Sequence, residues 1–184
     1  MKPIYVSISN TKLKKFKGIS FDIPARKTCP KAGECAKVCY AVKLARIYKG
    51  YAAKVEQNQA FTRSPLFVDE ISKEIETFAG EYFRIHGGGD FYSQEYLDKW
   101  EQVMRRFPKV KFYAYTKSLH LKFPKLRNFR LIKSRGGRLD SLIKPWDYQS
   151  KIVEKNAVLP KGWVDGSVDD LWWLKGKKCI LRKH

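Results

Sequence analysis

The chain is short of acid. Its 184 residues carry 18 Asp plus Glu against 38 Lys plus Arg, a formal charge of +20. The shortage is local: residues 105–138 hold twelve basic groups and no acidic one, and residues 1–54 hold thirteen and two, whereas residues 55–104 are net acidic, with four and ten. Such a surface attracts polyanions and releases them as salt rises, which makes nucleic acid the expected partner. The alternative is that the lysines only keep a small protein in solution.

Other absences narrow the class further. No apolar run approaches the roughly eighteen residues of a membrane span, and Met1-Lys2-Pro3-Ile4 lacks the layout of a signal peptide. The expectation is a cytoplasmic protein without a membrane partner; its oligomeric state is left open. No Pro/Gly/Ser-rich linker, repeat or low-complexity tract divides the chain, so residues 1–184 are expected to form a single domain. Large apolar groups are not scarce: eleven Phe, ten Tyr and five Trp exclude a disordered chain.

The four cysteines include no Cys-x2-Cys pair. In a reducing compartment clustered thiols read as metal ligands before disulfides. Cys29, Cys35 and Cys39 follow a Cys-x5-Cys-x3-Cys spacing, with Cys179 far downstream. Zinc sites are usually assembled from short-spaced pairs, whereas three thiolates can wrap three corners of a cubane while a remote fourth reaches the last iron. The expected cofactor is therefore an iron–sulfur cluster of the 4Fe-4S type on Cys29, Cys35, Cys39 and Cys179. Zinc and inert buried cysteines are the alternatives. Lys27, Lys31 and Lys37 offset the negative charge of thiolates in either metal site.

Apolar periodicity alternates between the two regular structures. Pro3 to Ser9 reads as a strand and a basic cysteine-bearing loop follows. A helix is expected from Tyr40 with Leu44, Ile47, Tyr48, Tyr51 and Val55 along it, and a second after Ser64-Pro65 with Phe67, Ile71, Ile75 and Phe78. Tyr82 to His86 is a strand running into Gly87, Gly88, Gly89 and Asp90. Ser93 caps a helix with Leu97, Trp100, Val103, Met104 and Phe107 on its buried face, and strands are expected at Val110 to Tyr115 and Phe129 to Ile132. The fold class is α/β, one domain with a mostly parallel sheet and a partial, barrel-like (β/α) layout. Beyond residue 140 the pattern gives no assignment, except that Trp163, Trp172 and Trp173 close the core. Ligands gather beyond the carboxyl ends of parallel strands, and those ends carry the cysteine loop, His86 with the glycines, Thr116-Lys117-Ser118 and Ser134-Arg135.

Three blocks, Thr28 to Ala41 with its cysteines, Arg84 to Ser93, and Phe112 to Ser118, resemble the phage gene product 88 family in order and content. The resemblance implies a bacteriophage protein with an iron–sulfur site. A looser likeness links the chain to radical S-adenosylmethionine enzymes, whose Cys-x3-Cys-x2-Cys spacing it lacks and whose Gly-Gly-Glu stretch is only approximated by Gly88-Gly89-Asp90. A fourth ligand from Cys179 closes the iron such enzymes leave open.

Other side chains offer hydrolytic chemistry. His86 beside Asp90 has the makings of a base held by a carboxylate, and Ser134 of a nucleophile; an esterase-like hydrolase at these three residues is the alternative function. Against it, Ser118 and Ser134 lie in no Gly-x-Ser-x-Gly elbow, and His86 equally supports the cysteine loop through hydrogen bonds. Gly87, Gly88 and Gly89 let backbone approach a cofactor. Lys117, Arg135 and Arg138 are weak phosphate candidates, and Tyr113, Tyr115, Trp146 and Trp163 are either base-stacking surfaces or core.

Overall fold

The computed structural model describes residues 5–7, 13, 16–78, 80–167 and 170–183. Its strands are β1 (Val6–Ser7), β2 (Ile19–Phe21), β3 (Tyr82–Ile85), β4 (Lys111–Thr116), β5 (Phe129–Ser134), β6 (Gln149–Val153), β7 (Val164–Asp165) and β8 (Lys178–Arg182). The helices of eight residues or more are α1 (Tyr40–Ile47), α2 (Lys49–Phe61), α3 (Phe67–Glu76) and α4 (Gln94–Arg106). The strands join one sheet in the order β1-β2-β3-β4-β5-β6-β8-β7. Only β1 runs antiparallel to its neighbour. The sheet is mostly parallel, as expected, and open, with β1 and β7 at its edges.

Period-two alternation divides the core into two. From β2, β3 and β4, the side chains of Ile19, Phe21, Phe83, Ile85, Phe112 and Ala114 meet α3 and α4. Both helices present a stripe at helical spacing: Phe67, Val68, Ile71 and Ile75 from α3, and Leu97, Trp100, Val103 and Met104 from α4. Trp100 is the hub, its ring centroid 5.4 Å from those of Phe21, Phe67 and Phe83. Ser93 caps α4 by accepting from the Tyr96 amide at 3.2 Å. On the other face Tyr113, Ile132 and Cys179 pack with Leu13, Leu171, Trp172 and Trp173.

Several expected elements change in detail. Of the first strand only Val6–Ser7 is described in strand form, and Pro3, Ile4, Ile8 and Ser9 lie outside the described residues. Within the expected basic loop stands β2, fully buried and parallel to β3. The helix from Tyr40 breaks at Tyr48, whose backbone is extended, and its apolar residues divide: Val55 is buried at 3% exposure, whereas Ile47 is 68% and Tyr48 59% exposed. Past residue 140 the chain adds three parallel strands. Trp172 and Trp173 do close the second core, while Trp163 is only partly buried, under the Lys151 ammonium.

Truncating Trp100 empties the centre of the aromatic cluster. Trp100→Ala is expected to cost about 3–5 kcal/mol in denaturant unfolding followed by circular dichroism. A loss under about 1 kcal/mol would show that the helix layer does not depend on it.

Candidate functional site

The carboxyl ends of the central strands open on a cavity of about 150 Å³. Cys29, Cys35 and Cys39 all line it, together with His86, Gly87, Gly88, Gly89, Asp90, Lys117 and Ser134. Residues more than a hundred positions apart meet there because β2, β3, β4 and β5 run parallel in register, so the segments leaving each strand emerge at one edge.

The cysteine loop is tied down by its own backbone. Thr28 Oγ1 donates to the Pro24 carbonyl at 2.7 Å, and Ala32 N to the Cys29 carbonyl. The Arg26 guanidinium closes the loop on the Ala36 carbonyl through Nε at 2.9 Å and Nη2 at 2.6 Å. A bridge from Ala32 to Gly137 and a bond from Arg138 N to the Lys31 carbonyl dock it on the segment after β5. Burial pushes the Cys29 thiol up to about 12, and Asp90, Cys39 and Cys35 add to the rise against a backbone hydrogen bond from Arg26. The Cys35 and Cys39 sulfurs are thus within electrostatic reach of Cys29. Among the described residues, however, no three His, Cys, Asp or Glu side chains gather as the ligands of one metal ion.

The glycine turn is shaped by contacts that the sequence does not announce. The Asp22 carboxylate accepts from the Gly87 and Gly88 amides, and Ile23 N donates to the Gly88 carbonyl. Tyr40 Oη donates to the Gly87 carbonyl. Gly89 has φ +89°, and a Cβ there would lie 2.4 Å from Ile23 Cγ1. His86 also has positive φ, at 70°.

His86 is buried, its ring 4.7 Å from that of Phe91, with Nε2 2.8 Å from Tyr96 Oη and Nδ1 without a partner. Burial, and then Arg84, drive its pKa down to about 3, so the imidazole is neutral. Asp90 does not hold it. The Asp90 carboxylate accepts from Thr116 Oγ1 at 2.6 Å, Lys117 N at 2.8 Å and Phe91 N at 2.8 Å. Even so, burial raises its pKa. Ser134 Oγ accepts from Lys117 Nζ at 2.7 Å, so its partner is a lysine and not His86. Cys179 stands apart from the other three cysteines: it is buried in the second core cluster and does not line the cavity. Tyr113 donates to Asp170 and is buried, Tyr115 accepts from Trp172 Nε1 and lines the cavity, and Trp146 is 69% exposed.

Sequence reasoning missed the Arg84–Asp170 pair beneath the cavity. Arg84 Nη1 lies 3.1 Å from Asp170 Oδ2, with the two side chains 12% and 4% exposed. Arg84 Nε also donates to the His86 carbonyl, and its guanidinium sits 4.9 Å from the Tyr115 ring centroid. The visible signal was slight, an arginine in an otherwise apolar strand whose partner is 86 residues away.

Fold and site together define an open-sheet α/β protein with a three-cysteine cavity at the carboxyl edge. The family described as gene product 88 matches residues 5–171, and the chain belongs to it. It is 34% identical over 120 residues to the Gene 88 protein of Mycobacterium phage D29, covering 56% of this chain and 50% of that protein. To the Gene 88 protein of Mycobacterium phage L5 it is 36% identical over 102 residues, covering 49% and 43%. The chain thus spans about half the length of these curated relatives. No solved structure matches it.

Two outcomes follow from the turn. Gly89→Ala should lower unfolding free energy by about 1–3 kcal/mol, since alanine meets both strain and contact there. Gly50→Ala, in α2 with nothing within 4 Å of the added carbon, should be neutral or stabilising by roughly 0.5–1 kcal/mol. Equal melting shifts for the two would contradict the close approach at Gly89. For His86 the folded pKa lies below the unfolded value, so between about 6.5 and 3 the unfolded chain holds the extra proton and stability drops as pH falls. His86→Gln should remove up to about 1.4 kcal/mol per pH unit of that slope, read as the difference between the two proteins' denaturation curves. Parallel curves would place the imidazole in contact with water.

Proposed function

We propose that the chain is a bacteriophage iron–sulfur protein whose cluster sits on Cys29, Cys35 and Cys39 and whose basic surface engages nucleic acid. The carrying observation is that these three thiols, and no other cysteine, line one cavity at the carboxyl edge of the sheet. A zinc ion would draw its thiolates to about 2.3 Å of a single point. A cluster instead seats each thiolate on a separate iron, which suits a loop that wraps the cavity wall. With Cys179 held among Trp172, Trp173 and Tyr113, a cubane on Cys29, Cys35 and Cys39 would have one iron without a cysteine ligand.

An iron without a cysteine ligand would suit a second reading, a reduced enzyme using S-adenosylmethionine. The hydrolase reading gains less, because Ser134, His86 and Asp90 each hydrogen-bond elsewhere. For the polyanion, Lys109, Lys122, Lys125, Arg127 and Arg138 are exposed within the acid-free stretch. Others there serve the fold: Arg106 pairs with Asp69, Lys133 pairs with Asp147 and Arg130 lies over Tyr148.

Anaerobic reconstitution with iron and sulfide should give a brown protein, and Cys29→Ala, Cys35→Ala and Cys39→Ala should each abolish its visible absorption. Cys179→Ala should retain that absorption while lowering thermal stability. Loss of colour in Cys179→Ala with an unchanged melting curve would restore the distant cysteine as a ligand, and a colourless wild type would end the reading.

A further inference from the structure

We infer that Lys117 and Ser134 form an oxyanion-binding subsite in the cavity, so that its occupant is a small molecule with a carboxylate or phosphate group. The inference rests on reading this cavity as the ligand site, although not on the identity of any metal.

The lining carries four charged side chains: Arg26, Arg84, Asp90 and Lys117. Three are already engaged. Arg26 closes the cysteine loop on Ala36, Arg84 pairs with Asp170, and Asp90 accepts three hydrogen bonds from its own surroundings. Lys117 differs. The hydrogen bond described for its ammonium goes to a neutral hydroxyl, Ser134 Oγ at 2.7 Å. An ammonium has three donors, so two remain for a ligand, and a serine that accepts from lysine keeps its own O–H to donate. Both donors reach the same small space, and Ser134 is only 7% exposed, which fixes the hydroxyl within the cavity wall.

The surrounding backbone holds this pair in place. Lys117 N donates to Asp90, which sets the start of the segment after β4. Across from it, Gly136 and Gly137 amides donate to the Asp140 carboxylate, so the turn after Ser134 is fixed too. A Cβ on Gly137 would lie 3.0 Å from Lys117 Cβ, and one on Gly33 would lie 2.8 Å from the Gly136 carbonyl oxygen. Lysine, serine turn and cysteine loop therefore pack against one another, and a ligand anchored through its anionic end at Lys117 has its remainder beside the thiols.

The test is titration of the full chain with inorganic phosphate against chloride of matched ionic strength, followed by amide NMR shifts, on iron-free and reconstituted protein. Wild type should show saturable shifts at Lys117 and Ser134. Lys117→Met should weaken binding by about tenfold or more and Ser134→Ala by about threefold, while Lys117→Arg stays within about threefold. Should Lys117→Met fail to fold, Ser134→Ala carries the test. Affinity for duplex DNA should stay within about twofold in Lys117→Met, as the polymer meets other cations. Phosphate binding that persists without any assembled cluster supports the subsite even as the iron–sulfur reading fails. No saturable shift in wild type, undiminished binding in Ser134→Ala, or a matching loss of DNA affinity in Lys117→Met would overturn it.

Discussion

The arrangement depends on the parallel pairing of β2 with β3. Three residues, Ile19 to Phe21, align with Phe83 to Ile85, and the Asp22 carboxylate then takes the amides of Gly87 and Gly88. This pairing carries the cysteine loop across the end of β3 and forces it against the glycine turn. Without it Cys29, Cys35 and Cys39 would leave the sheet with nothing to face. Glycine matters here through space: at Gly88 a side chain would meet Tyr51 Oη at 2.7 Å and at Gly89 it would meet Ile23.

Two kinds of buried polarity lie on the two sides of this edge. His86 points toward Phe91 and Tyr96, in the helix-covered core, and stays neutral. Arg84 lies in the strand two residues earlier and stays charged: burial opposes its charge, but Asp170 and the nearby tyrosines outweigh that. An arginine and a carboxylate this deeply buried are costly unless matched, and Tyr113 Oη completes the match by donating to Asp170 at 2.6 Å. The cavity is therefore floored by a neutralised pair, and Lys117 and Arg26 are the cations of its lining whose described hydrogen bonds go to neutral oxygens.

Much of this was legible in the sequence where periodicity was strong. The α3 and α4 stripes, the Ser93 cap, β3, β4 and β5, and the gathering of the cysteine loop, glycine turn, Lys117 and Ser134 at one edge follow from spacing and from the rule for parallel sheets. The strand β2 was hidden because three residues are too few to show alternation. The strands β6, β7 and β8 were hidden because the Pro- and Gly-interrupted segments between them break the periodic pattern. Chemistry that depends on a partner far along the chain was invisible: Asp22 with the glycines, Asp170 with Arg84, and the assignment of Lys117, not His86, to Ser134. Cys179 illustrates the limit, since a lone distant cysteine reads the same whether it is a ligand or a packed side chain.

The central claim is that three thiolates at the carboxyl edge hold a polynuclear iron centre. Mössbauer spectroscopy of the chain reconstituted with iron-57 and sulfide tests it most directly. The account predicts the spectrum of a four-iron cluster in which one iron differs from the other three. A spectrum of isolated mononuclear iron, or a protein that takes up zinc and excludes iron, would contradict it.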